Sequence, residues 1–375
     1  MNNFVVLPLL IPLLAGLFMI IFRKNTILQR WLSVISFVLT TLVALYLLRQ
    51  VFNLGIQIVN LGGWQAPFGI VFVVDMLSAL LLVTTGIVST LCVLYAFNSI
   101  GKEREGFYFY PLLQFLIVGV NGSFLTGDIF NLFVCFEVML LSSYVLLSLG
   151  GTKLQLKETI KYVLINTLSS TLFVVAIAYL YAVVGTLNMA HLSVRVAEAG
   201  QTGFLTVVAI FFLIVFSLKA ALFLYFWLPG AYSAPPPVIA AIFGALLTKV
   251  GIYALFRMFT LIFYHQPEIT HILLGILAAL TMVLGGLGAI AQKDIRYILS
   301  YNVIIGVGFI ISGLAIFTPK AVIGAVYYLI HDMAMKALLF LLGGAIMTIV
   351  GSGKLKEMGG LIRNHPLLGW MFLIA

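Results

Sequence analysis

Residues 204–251 read FLTVVAIFFLIVFSLKAALFLYFWLPGAYSAPPPVIAAIFGALLTKVG. The stretch holds two apolar runs, and each is long enough to cross the roughly 30 Å hydrocarbon core of a bilayer as a helix. A proline-rich segment separates the runs, and each run carries one lysine, Lys219 or Lys249, far from its ends. Such runs predict membrane helices, the prolines predict interruptions, and charges at that depth call for a functional explanation.

The rest of the chain repeats this apolar pattern from end to end. Of its 375 residues 63% are hydrophobic and only 8% are charged, whereas about 25% of a soluble domain is charged. These values exclude a soluble enzyme and a nucleic-acid-binding domain. The fold class is therefore predicted to be all-α, a polytopic membrane helical bundle. Cys92 and Cys135 both lie inside apolar tracts, so neither a disulfide framework nor a thiolate metal site is expected.

Eleven complete spans and the start of a twelfth are predicted, all within one transmembrane domain that covers residues 1–375. The twelfth span begins at residue 366 and its apolar run stops at Ala375, so the native chain is expected to continue past 375. The predicted complete spans are residues 4–22, 31–52, 68–97, 107–125, 129–149, 158–184, 204–228, 238–263, 271–291, 295–317 and 321–350.

The orientation of the chain follows from its basic residues, since cytoplasmic loops are enriched in Lys and Arg. Thirteen Lys and Arg lie in or beside the connections that follow odd-numbered spans, and four lie on the other side. This bias predicts a multi-pass membrane protein with its N-terminus outside. Of the 20 Lys and Arg in the chain, the three remaining lysines belong to no loop.

Four spans carry ionisable residues near their middle, at Glu137, Lys219, Lys249 and Lys336. A charge at the centre of a membrane helix costs about 2.5–3.5 kcal/mol on insertion scales, so four charged spans cost roughly 10 kcal/mol. A protein with a purely structural role could carry leucine at each position. The pattern therefore favours a row of protonatable groups that faces a hydrated interior.

The last of these spans also contains His331 and Asp332. Asp332 and Lys336 are four residues apart and share a helix face, so they are expected to pair. His331 points elsewhere and is interpreted as a proton relay, because histidine titrates near neutral pH. The alternative is that the charges are buried ion pairs that only hold helices together, although three lysines face just two mid-membrane acids.

Two features suggest a transporter architecture. The segment from Lys219 to Pro229 is a candidate for an interrupted helix, and interrupted helices border the cavities of transporters. Residues 162–166 also align with residues 327–331 at an offset of 165, five spans along the chain, which predicts inverted five-helix repeats. On this alignment Lys219 falls on position 384, so a second broken span with an ionisable residue is expected past residue 375.

Several motifs carry a family resemblance that spans nearly the whole chain. SLKA at 217–220, WLP at 227–229, APPPV at 234–238 and LTKVG at 247–251 together resemble the signature of the antiporter-like membrane subunits. These subunits occur in respiratory complex I, membrane hydrogenases and multisubunit Mrp-type cation/proton antiporters. GDIFNLFVCFE at 127–137, DIRYILSY at 294–301, YLIHD at 328–332 and KALLF at 336–340 are similar to the fifth, tenth and eleventh helices of the family.

Within that family, the short loops and FEVML at 136–140 look most like the D-type subunits of the Mrp branch. The resemblance implies about fourteen helices in the native protein, arranged as inverted five-helix repeats. It also implies that Glu137 and Lys219 open a proton path, that Lys249 is its central lysine and that His331 lies near its midline. Lys336 is a further candidate, although its acid neighbour Asp332 distinguishes it from the other lysines.

The predicted function is an ion-translocating membrane subunit of a multisubunit Na⁺/H⁺ antiporter. Protons would pass along the row of Glu, Lys and His residues, and other membrane subunits would be its partners in the bilayer. Sodium is the expected counter-ion, and no cofactor or metal site is expected. The alternatives are a proton-pumping subunit of a redox-driven complex, which shares every quoted motif, and a scaffold whose charges only stabilise helix packing.

Overall fold

The computed structural model describes residues 3–201 and 203–375. Within these residues nine helices are long and apolar enough to cross a membrane, and two shorter apolar helices occupy the places of the fourth and seventh predicted spans. The prediction of an all-α membrane bundle is confirmed. The inverted five-helix repeat and the continuation of the native chain stay predictions.

The helices follow the predicted spans closely, and short helices occupy several connections. In chain order the α-helices are α1 Leu7–Ile21, α2 Thr26–Leu54, α3 Met76–Ser99, α4 Lys102–Glu105, α5 Phe109–Leu125, α6 Ile129–Ser148, α7 Lys153–Val184, α8 Met189–Ala199, α9 Phe204–Ala220, α10 Leu228–Ser233, α11 Pro237–Ile242, α12 Thr248–Arg257, α13 Pro267–Ala291, α14 Ile295–Ile316, α15 Pro319–Val350, α16 Leu361–Asn364 and α17 Pro366–Ile374. Short 3₁₀ helices cover Asn3–Val6, Leu61–Gly63 and Leu355–Glu357.

A β-hairpin replaces the beginning of the predicted third span. Strands β1 Gln57–Asn60 and β2 Val71–Val74 pair antiparallel, whereas the sequence prediction began a helix at residue 68. The helix begins only at Met76, because the Asp75 carboxylate accepts from the Ser78 backbone N–H at 2.9 Å and the Ser78 hydroxyl reaches back to Asp75. This capping box fixes the start of α3, and β-branched valines extend the chain before it.

The connections that follow the second, fourth and sixth predicted spans meet on one side of the molecule, here called the hairpin face. Gly127 N–H donates to the Val71 carbonyl at 2.8 Å, and Met189 N–H donates to the Gly127 carbonyl at 2.8 Å. The amphipathic helix α8 lies here with Leu192 and Val196 buried, in a stretch that the sequence prediction treated as loop. Backbone hydrogen bonds therefore join three connections into one layer.

The connections that follow odd-numbered spans meet on the other side, here called the opposite face. Ile295 N–H donates to the Gly353 carbonyl at 2.9 Å, and residues 100–108 lie beside residues 145–151 along one groove of about 860 Å³. This arrangement agrees with the predicted alternation of the helices. Which face lies outside the cell stays a prediction, and the extreme N-terminal residues Met1 and Asn2 lie outside the described part of the chain.

The helical segment Pro237–Ile262 forms the centre of the bundle, and its most apolar 18-residue stretch is entirely buried. Two π-helical segments, Phe243–Leu247 and Met258–Ile262, flank the regular helix α12. Wider π turns leave carbonyl groups free for other donors and often accompany functional sites. Lys249, on α12, is therefore fully buried in the interior of the bundle.

The helix that carries Lys219 is interrupted, as the sequence predicted. Helix α9 ends at Ala220, and Ala221 and Phe223 both adopt the left-handed conformation with φ near +60°. Helical structure resumes at Leu228, where Pro229 occupies the first turn of α10. Residues with a Cβ rarely adopt this backbone conformation, so surrounding contacts have to hold it in place.

Candidate functional site

Lys219 sits at the last turn of α9, where the helix dipole favours a cation. Its side chain is buried, and its Nζ donates to the Ser170 hydroxyl at 3.1 Å. Ser170 in turn donates to Glu137 Oε1. The predicted Glu137–Lys219 pair is therefore brought together, but through a serine hydroxyl and not by direct contact.

Three helices supply this first cluster. Glu137 comes from α6, Ser170 from α7 and Lys219 from α9. The Lys219 ammonium also lies 4.9 Å from the centre of the Phe136 ring, a cation–π contact that helps to compensate for lost hydration. A hydroxyl can accept a hydrogen bond from one neighbour while it donates to the next, so Ser170 bridges the amine and the acid.

Ser170 is absent from the site residues predicted from the sequence, although a signal for it exists. Helix α7 carries a stripe of polar side chains that recur every three or four residues and are all buried. Periodic apolar residues at these positions would mark a packing face, whereas polar ones mark a face that meets other polar groups or water. The stripe runs from the opposite face toward mid-membrane and consists of Gln155, Glu158, Tyr162, Asn166, Ser169 and Ser170.

A second cluster surrounds Asp332 on α15. Its Oδ1 lies 3.1 Å from Lys336 Nζ, so the predicted pairing of these two residues is confirmed. Its Oδ2 lies 2.8 Å from Lys249 Nζ, which comes from α12. Lys249 also donates to the carbonyl of Gly244 in the adjoining π-helical segment at 2.7 Å. One carboxylate therefore serves two lysines from different helices, and sequence spacing alone predicted only one of these contacts.

The two clusters lie on either side of a close contact between α9 and α12. A Cβ added to Gly251 would come within 2.6 Å of the backbone nitrogen of Ala220, the residue after Lys219. Glycine at this position lets the two backbones approach. Within residues 3–201 and 203–375, no hydrogen bond or ion pair links the Lys219 cluster directly to the Lys249 cluster.

His331 lies apart from both clusters. Its side chain is exposed on the outer side of α15, and its ring packs 5.7 Å from the ring of Tyr328. The structure therefore agrees with the expectation that His331 and Lys336 occupy different sides of the helix. Its predicted role as a relay stays a prediction.

Ion pairs also lie at both ends of the bundle. On the hairpin face the Arg257 guanidinium contacts both oxygens of Asp75, at 2.7 and 2.6 Å. Burial raises the pKa of Asp75, but hydrogen bonding and charge attraction from Arg257 outweigh it and bring the pKa to about 2. On the opposite face, hydrogen bonds from Arg296 lower the pKa of Asp294. Both acids remain ionised at neutral pH.

No group of three or more His, Cys, Asp or Glu side chains within the described residues is placed to hold a metal ion. The polar interior consists instead of amines, carboxylates and hydroxyls. These groups are chemically able to exchange protons with one another and with water.

Comparison with known proteins gives a consistent result. A family model described as NADH:quinone oxidoreductase/Mrp antiporter, transmembrane, matches residues 126–375. The D-type subunit of the Na⁺/H⁺ antiporter from Alkalihalophilus pseudofirmus is 54% identical over 376 residues, which cover all of this chain and 76% of that protein. A chain of the Mrp complex from a Dietzia species superposes with a TM-score of 0.92 at 29% identity, covering all of this chain and 70% of that one. A chain of the membrane-bound sulfane sulfur reductase, an archaeal respiratory membrane complex, superposes with a TM-score of 0.95 at 29% identity, covering all of this chain and 77% of that one.

Proposed function

The chain belongs to the transmembrane family shared by NADH:quinone oxidoreductase and the Mrp antiporters, and from this premise we propose that it carries protons through the membrane along its buried amines and acids. It is an ion-translocating membrane subunit of the antiporter type. The observation that carries the proposed path is the continuous contact from Lys219 through Ser170 to Glu137 at mid-membrane depth.

The path has two parts. Protons are exchanged between Glu137 and Lys219 through the Ser170 hydroxyl, and they pass from there to Lys249 across the Gly251 contact. Asp332 then shares its charge between Lys249 and Lys336. His331 is proposed as a relay beyond this point, and its exposed ring requires a neighbouring protein chain or water beside α15.

The geometry favours this interpretation over a packing role for the charges. A packing pair satisfies one base with one acid, and replacing it with apolar residues is often neutral or stabilising. Here one carboxylate serves two lysines, and a serine separates the other lysine from its acid. Polar groups that continue toward the opposite face along α7 have no purpose in a simple packing contact.

The relatives' names extend the proposal to substrates and partners. The similar chains are named as subunits of a Na⁺/H⁺ antiporter and of multisubunit membrane complexes. We propose that this chain likewise works with other membrane subunits in a bacterial cell membrane, with the hairpin face outside and its N-terminus there. Inward proton flow then drives sodium outward, so the chain acts as part of a secondary transporter and not as an enzyme.

Antiport in vesicles that contain the whole complex tests the proposal. Glu137→Ala and Lys219→Ala should each abolish sodium-dependent proton movement while the complex still assembles. Leu141→Ala on the exposed side of α6 is a matched control that should leave transport unchanged. Normal antiport in the first two variants, at normal amounts of complex, would show that the path is wrong.

The second candidate is a proton-pumping subunit of a redox-driven complex. The close superposition on the respiratory sulfane sulfur reductase favours it, because that complex shares the fold. The two candidates differ in the subunits with which the chain assembles. Flavin or iron–sulfur subunits that purify with the native complex would support the redox candidate, and their absence together with sodium-driven antiport would support the first.

A further inference from the structure

A pocket of about 400 Å³ opens on the hairpin face, between the hairpin, the connection before α6, the start of α8 and the end of α12. Its walls include Val71, Asn188 and Met189, and α12 contributes Tyr253 and Arg257. At about 30 Å³ per molecule, the pocket has room for roughly ten water molecules.

From the pocket-lining residues Arg257 and Tyr253, α12 leads back along the chain to the central lysine. Lys249, Tyr253 and Arg257 occur at intervals of four residues in a regular helix, so they lie on one face, and successive residues are about 6 Å apart along the axis. Arg257 and Tyr253 border the pocket, whereas Lys249 is fully buried beneath them. Of the α12 residues that line the pocket, Tyr253 is therefore the one nearest to Lys249 along the helix.

Tyr253 is held in place by three contacts. Its hydroxyl donates to the Phe124 carbonyl at 2.9 Å, and its ring meets the Phe124 ring edge-on at 5.2 Å. The Arg257 guanidinium lies over the Tyr253 ring, 4.9 Å from its centre. Arg257 is itself anchored through both oxygens of Asp75 at the start of α3. Release of the Asp75–Arg257 pair would remove the cover from Tyr253.

We propose that this pocket is an aqueous access path from the hairpin face to Lys249, and that Tyr253, held by the Asp75–Arg257 pair, is its gate. The path admits water and the protons that water carries, which gives the central lysine its own connection to this side of the membrane. The purpose of this path rests on the proposed function, whereas its geometry does not depend on that function. Neither the motifs nor the relatives' names point to this opening.

The test uses a cysteine in place of the buried lysine as a reporter. Lys249→Cys is introduced with Cys92→Ala and Cys135→Ala in the full complex, and a charged, membrane-impermeant methanethiosulfonate is applied to one face of sealed vesicles at a time. With native Tyr253 the reporter should react slowly from either face. Tyr253→Ala should speed its reaction at least tenfold from the hairpin face only, whereas Tyr253→Phe keeps the ring and should change the rate less than twofold.

Two further measurements keep the proposal falsifiable if Tyr253→Ala disturbs the core. Asp75→Asn frees Arg257 without leaving a cavity and should speed labelling several-fold from the hairpin face. Passive proton uptake by vesicles with Tyr253→Ala and native Lys249 should also rise several-fold. Labelling that is unchanged in both variants, or equally fast from the opposite face, would overturn the proposal. Labelling needs no transport, so this result is independent of whether the antiport variants of Glu137 and Lys219 fail.

Discussion

Replacement of Ser170 by alanine removes the hydroxyl that connects Lys219 to Glu137. The variant deletes one oxygen atom from a buried position and changes no charge. Lys219 Nζ then loses its 3.1 Å partner, and Glu137 loses its donor on α7. If protons pass through this contact, antiport should fall although both ionisable residues remain.

The size of the effect follows from the kind of hydrogen bond that is lost. A hydrogen bond to a charged group contributes about 1.5–3 kcal/mol, and each 1.36 kcal/mol corresponds to a tenfold change in rate. The antiport rate of Ser170→Ala should therefore drop by roughly 10- to 150-fold. Ser169→Ala is the matched control, because that neighbouring buried serine donates only to the neutral Val215 carbonyl at 3.2 Å.

The assay is sodium-induced collapse of a pH gradient in everted membrane vesicles, followed with a pH-sensitive dye and normalised to the amount of assembled complex. Ser170→Thr, which keeps the hydroxyl, should retain most of the activity. Ser169→Ala should stay within about threefold of the native rate. Antiport by Ser170→Ala within twofold of native would refute the role of this hydroxyl as the connection between acid and amine.

Three further predictions concern Asp332 and the hairpin face. Gly306→Ala should lower both antiport and the yield of complex, because the added Cβ would lie 2.7 Å from Asp332 Oδ1. The control is Gly286→Ala on α13, whose Cβ would meet nothing within 4 Å, and it should leave both measurements unchanged. Asp332→Asn should lower assembly of the complex, measured by co-purification of its subunits. The substitution leaves two buried ammonium groups without an anion, at a cost of about 3–5 kcal/mol. Normal assembly would mean that both lysines are neutral in the native protein. The low pKa of Asp75, about 2 against an ordinary 3.8, contributes about 2 kcal/mol of stability above pH 4 that is lost as the pH falls toward 2. Hydrogen exchange of residues 57–75, corrected for intrinsic rate, should therefore be constant from pH 5 to 9 and rise below pH 4. Arg257→Gln should exchange faster at neutral pH and lose most of this rise, because the pKa of Asp75 then no longer lies below its value in the unfolded chain. A rise below pH 4 as large as that of the native protein would show that Arg257 does not stabilise the ionised acid.

The sequence predicted the membrane helices well because apolar length is a direct requirement of the bilayer. The interruption after Lys219 was also predictable, since Pro229 and the following proline-rich segment cannot continue a helix. The hairpin Gln57–Val74 was missed because apolar residues lie on both sides of Asp75, in β2 and in α3, and hydropathy does not distinguish an extended residue from a helical one. Only the cap at Asp75 marks the boundary.

The contacts within the site were predictable only where they are local. Asp332 and Lys336 share a helix, so a spacing of four residues was enough to pair them. The contact of Asp332 with Lys249 joins helices that are far apart in the sequence, and it depends on how the bundle packs. Ser170 was missed for a related reason, because serine is common in membrane helices and becomes informative only as the end of a buried polar stripe.

The shared carboxylate of Asp332 links the protonation of α12 to that of α15, two helices that are far apart in the sequence. Because a single negative group neutralises two positive ones, any event that draws it toward Lys336 on its own helix weakens its hold on Lys249 in the centre of the bundle. The two amines thus compete for one counter-charge. A proton gained or lost by one lysine changes the proton affinity of the other, without any movement of the backbone. Competition of this kind would let the protonation of Lys336 set when Lys249 gains or loses its proton.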